Sequence, residues 1–97
     1  MMKKIQDRLV NYLKRDKKGV RREVLSIMVD GRKYTTSEIY EILKAKGYDV
    51  NLRGVSAMLG LMNTRLGIVR TETGEKNRYY IKPEYIELVK SVLREFS

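Results

Sequence analysis

NLRGVSAMLGLMNTRLGIVRTETGEKNRYYIK, residues 51–82, is the stretch whose reading decides the fold. Stepped at 100° per residue, positions 52–65 sort into faces. Val55, Met58, Leu59, Met62 and Leu66 gather on one side as a core stripe. Arg53, Ala57, Gly60 and Thr64 lie opposite, with Ser56 and Asn63 on one flank and Leu61 on the other. Asn51 is a good N-cap for this helix, and Gly67 closes it. Residues 68–73 are β-type, 74–77 form a polar turn containing Gly74, and 78–82 return as a second strand.

Working outward, TTSEIYEILKAKG (residues 35–47) reads as a preceding helix. Thr35 is the expected N-cap, and Glu38 three residues on completes a capping box. Ile39, Ile42 and Leu43 face inward, Lys44 and Lys46 suit the C-terminal dipole, and Gly47 ends the helix. Residues 32–34 are expected as a short strand. A helix over 20–30 turns Val20, Val24, Ile27 and Met28 inward and stops at Gly31. An amphipathic helix over 2–16 sets Ile5, Leu9, Tyr12 and Leu13 on one face, and DKKG (residues 16–19) breaks it. Pro83 starts a last helix, 84–96, with Tyr85, Ile86, Val89, Leu93 and Phe96 on its apolar side and Leu88 and Val92 widening it. No linker or repeat divides the chain. It reads as one domain over 1–97: a basic N-terminal helix (1–18), a core (20–82) and a C-terminal helix (83–97).

Composition excludes most enzyme chemistry. The 97 residues contain no Cys and no His, which removes Cys/His zinc sites, thiol nucleophiles and imidazole acid–base catalysis together. The twelve acidic residues form no tight cluster, so no metal, no cofactor and no catalytic residue is expected. The N-terminal MMKKIQDRLV lacks the apolar run of a signal peptide, and no segment has the length of a membrane span. A soluble cytoplasmic protein is expected, with no membrane partner.

The net charge of +9 is unevenly placed. Residues 1–22 hold nine Lys/Arg against two Asp, whereas 23–97 hold twelve Lys/Arg against ten Asp/Glu. Such a basic field favours a polyanion. The plainer alternative is a solvated helix end that keeps the protein soluble.

VSAMLGLMNTRLGIVRTETGEKNRYYI resembles the winged helix-turn-helix superfamily in its phasing. A V-x-x-M-L-x-x-M stripe is followed by an L-G-I-V turn, a polar wing and R-Y-Y-I. The whole chain is also similar to a family of small archaeal winged-helix proteins whose function is not characterised. The fold class so implied is α+β: a three-helix core plus β-hairpin wing, with extra N- and C-terminal helices.

The resemblance implies binding of double-stranded DNA, with helix 52–65 in the major groove, N-terminal part leading. Arg53 would read guanine and Ser56 a base edge or phosphate, from a face that includes Asn51, Ala57 and Gly60. Lys76, Asn77 and Arg78 would lie over a backbone or minor groove, and Thr35, Thr36 and Ser37 would meet phosphate. The implied role is a transcriptional regulator.

One departure stands out. Ala57 and Gly60 carry no hydrogen-bonding side chain, so the outer face of helix 52–65 is thin and phosphate contacts outweigh base reading. Small residues there, with Leu61, also suit a protein-interaction module. The two terminal helices must bury their apolar faces, either on a second copy as a two-fold dimer or on their own domain.

Overall fold

The computed structural model describes residues 2–96. In chain order these form helix α1 (Met2–Lys14), helix α2 (Val20–Met28), strand β1 (Tyr34–Thr35), helix α3 (Thr36–Ala45) and helix α4 (Leu52–Thr64). Strands β2 (Val69–Glu72) and β3 (Arg78–Ile81) follow. A 3-10 turn (Pro83–Tyr85) then leads into helix α5 (Ile86–Glu95). The architecture is α+β, with an element order compatible with a winged-helix-like fold.

The core follows the apolar stripes. Leu9 and Leu13 of α1 are buried where that helix packs on α5, whose Val89 and Val92 are buried in turn. Helix α5 also packs on α2 through the layer holding Val24, Leu25 and Met28. Helix α3 packs on both α2 and α4, burying Ile39 and Leu43 with Val55, Leu59 and Met62. Leu66, Ile68, Val69 and Ile81 carry this core beneath the sheet. The terminal helices thus pack on each other within one chain, burying Leu9, Leu13, Val89 and Val92 and leaving Ile5, Ile86, Leu88, Leu93 and Phe96 half-buried.

The sheet is antiparallel, in the order β1-β3-β2. Tyr34 pairs with Tyr79 and Thr35 with Arg78, while Val69 to Glu72 run against Ile81 to Arg78. The short strand lies at 34–35, later than the expected 32–34. The Asp30 carboxylate explains the shift: it accepts from the Arg32 backbone N–H at 2.9 Å and from the Tyr34 hydroxyl at 2.5 Å. That turn occupies residues 30–33, so pairing begins only at Tyr34.

Two expectations about packing are also corrected. Met58 is only half-buried, at the edge of the core rather than inside it. Leu25 is fully buried although it lay outside the expected face of α2, whereas Val20 and Ile27 are half-buried. Helix α2 is covered from two sides, by α3 and α5, so its apolar arc is wider than one stripe.

Three local devices set the helices that matter below. Gly47, at φ +92°, ends α3: its N–H donates to Lys44 O and that of Tyr48 to Leu43 O, both at 3.0 Å. This is a Schellman motif. Glu23 of α2 ties that turn down, accepting from Lys46 Nζ at 3.0 Å and from the Tyr48 hydroxyl at 3.1 Å. At the far end of α4, Asn63 Nδ2 donates to Thr71 Oγ1 at 2.8 Å, which fixes the helix to β2.

Candidate nucleic-acid interface

The starts of α3 and α4 lie side by side. The Thr35 hydroxyl accepts from the Glu38 N–H at 3.1 Å, and the Glu38 carboxylate accepts from the Thr35 N–H at 2.7 Å. The expected capping box is therefore present in full. On α4, Asn51 Oδ1 accepts from the Gly54 N–H at 2.7 Å. Thr35 and Asn51 are thus structural caps first. What they retain for a ligand is a donor each, the Thr35 O–H and the Asn51 amide N–H groups.

A shallow groove between the two helix starts is lined by Thr36, Ser37, Leu52, Arg53, Ser56 and Ala57. Five of these six are residues expected from sequence. Arg53 is exposed and makes no hydrogen bond or ion pair among the described residues. Leu52 is the addition, 47% exposed. Its signal in the sequence is an apolar side chain standing off the core stripe. Gly60 lies further along α4, and a Cβ built there meets nothing within 4 Å. Among the described residues nothing requires its small size.

The β2–β3 turn flanks this groove on the α3 side. Lys76, Asn77 and Arg78 are exposed. Pairing with Thr35 brings Arg78 to the start of α3. Its charge is felt there. The Glu38 carboxyl is held below the usual glutamate range by the Thr35 backbone N–H first, against partial burial, with help from the Thr35 hydroxyl, Arg78 and Lys76. The hairpin is not strongly basic, however. Glu72 is paired to Lys33 at 2.5 Å, and Glu75 stands beside Lys76.

Further exposed charge comes from the α1–α2 loop, which flanks α4 on its other side. Asp16 organises it. Its carboxylate accepts from the backbone N–H groups of Arg21 at 3.2 Å and Arg22 at 3.1 Å, capping α2 across Gly19, itself at φ +80°. Arg22 Nε lies 3.6 Å from the same carboxylate, and Arg22 Nη1 donates to the Phe96 carbonyl. The Arg21 guanidinium sits 4.3 Å over the Tyr12 ring and donates to the Tyr12 carbonyl at 2.8 Å. Two of the nine N-terminal cations are therefore structural.

Arg15, Lys17 and Lys18 are exposed, and their side chains have no partner among the described residues. They line a second groove together with Val50, Asn51, Gly54 and Met58. Sequence showed that the N-terminal segment is basic. It did not show that these three cations stand beside the first turns of α4. Asp49 lies in the same groove and offsets part of their charge.

Among the described residues, no group of three or more acidic, Cys or His side chains is placed to hold a metal ion. No helix among them is long and apolar enough to cross a membrane. The chain belongs to the family described as a protein of unknown function (DUF2551), which matches residues 9–89. A relative from Archaeoglobus fulgidus, described as an uncharacterized protein, is 54% identical over 92 residues, 95% of each chain. No solved structure matches the chain.

Proposed function

We propose that this chain is a winged-helix protein of the cytoplasm that binds double-stranded DNA without catalysis and acts as a transcriptional regulator. Helix α4 enters the major groove by its N-terminal turns, and Arg53 reads guanine O6 and N7. The α1–α2 loop and the β2–β3 turn, acting as the wing, hold phosphates to either side. The observation that carries this reading is the bracketing of the α3–α4 groove by exposed cations: Arg15, Lys17 and Lys18 on one side, Lys76 and Arg78 on the other. A fluorescence titration of labelled duplex tests it. Binding that weakens steeply with salt is expected, and no binding even at low salt would overturn it. A two-fold dimer on a pseudo-palindromic site would show as two chains per duplex in the same titration.

Leu61, 38% exposed, beside the open space at Gly60 favours a second reading, a protein-interaction module docked through the outer face of α4. A stoichiometric protein partner lost on Leu61→Asp, with no duplex binding, would establish it instead.

A further inference from the structure

Leu52 sets a question that DNA binding alone leaves open. It is the first residue of α4, beside Arg53, and the most exposed large apolar side chain among the described residues. Spacing by four makes two rows on the helix, Leu52 with Ser56 and Arg53 with Ala57. Both rows line one groove, so apolar and polar groups alternate across it. Exposed cations flank that groove on both sides, so its complement is an apolar group carried between two lines of negative charge. In the major groove of a duplex the C5-methyl of thymine meets that description, since it is the apolar mark among the hydrogen-bonding base edges.

Resting on the DNA-binding reading, we propose that the Leu52–Ala57 surface is a thymine-methyl contact, so that this chain prefers thymine at a base step next to the guanine read by Arg53. Leu52 and Ala57 supply van der Waals surface to the methyl, while Ser56 and Arg53 hydrogen-bond the neighbouring edges. The thin outer face then becomes a source of selectivity: burying one methyl group is worth about a fourfold change in affinity.

The test uses duplexes enriched by the full-length protein from a random pool, each then synthesised with thymine and with uracil, which lacks the methyl. At moderate salt, fluorescence anisotropy is expected to show about fourfold weaker binding of the uracil duplex for each methyl contacted. Leu52→Ser, a change at an exposed site, is expected to bring the two affinities together. Lys17→Ala is expected to weaken both duplexes alike. Equal affinity for thymine and uracil duplexes, with binding retained, overturns this inference and leaves DNA binding standing. A thymine preference that survives Leu52→Ser removes Leu52 from the contact and overturns it too. Failure to bind either duplex overturns the underlying reading, and Leu52-dependent self-association in sedimentation would give the groove to a second copy instead.

Discussion

Thr35 and Arg78 face each other across β1 and β3, and Thr35 is at the same time the N-cap of α3. One residue therefore takes part both in the start of a helix and in the pairing of the hairpin.

Removing that cap tests what the box contributes. Thr35→Ala is expected to lower stability by about 0.5–2 kcal/mol, and Thr35→Ser to restore most of it. For a domain this small, each kcal/mol moves Tm by about 4–8 °C, well within reach of calorimetry. An unchanged Tm for Thr35→Ala would show that the box contributes nothing.

The same box predicts a pH dependence. The folded Glu38 carboxyl titrates below its ordinary range, chiefly through the Thr35 backbone N–H. Its contribution is fully present above the usual glutamate range and is lost as pH falls through and below it. Glu72, lowered by the Lys33 ammonium, acts in the same direction. Melting followed from neutral to acid pH is expected to show a fall that Glu38→Gln reduces.

Two glycines are expected to behave oppositely. Gly47 occupies the left-handed region, where a Cβ is disfavoured by about 1–2 kcal/mol, so Gly47→Ala is destabilising. Gly60 sits mid-helix beside open space, and Gly60→Ala is expected to stabilise by about 0.5–1 kcal/mol. Denaturant melts of both variants settle the signs. If α4 is the DNA-reading helix, the more stable Gly60→Ala protein is expected to bind DNA no better.

Cations that look alike in sequence are expected to separate by role. Lys17→Ala or Lys18→Ala is expected to flatten the salt dependence of duplex binding by about 0.9 in log–log slope while leaving Tm unchanged. Arg21→Ala removes the Tyr12 stacking and the Tyr12 carbonyl bond, and is expected to lower Tm. Arg53→Ala is expected to relax base preference more than Lys76→Ala does.

The caps and helix stripes were legible because their partners lie within one turn. Thr35 and Glu38 are three residues apart, as are Asn51 and Gly54. Asp16 was not legible as a cap, because it reaches donors five and six residues on, past a left-handed glycine. The start of β1 depended on Asp30 and on β3 more than forty residues away. Of the groove, Thr36, Ser37, Arg53, Ser56 and Ala57 follow from laying the winged-helix resemblance on the projected helices. Leu52 has no place in that resemblance, and the nearness of Arg15, Lys17 and Lys18 to α4 depends on tertiary packing alone.

Arg22 reaches from Asp16 to the carbonyl of Phe96. The loop bearing the free cations is thereby moored to the last turn of α5. A peptide cut from residues 1–22 would keep most of the charge and lose its arrangement. Shortening α5 by a single turn would loosen a loop some seventy residues earlier.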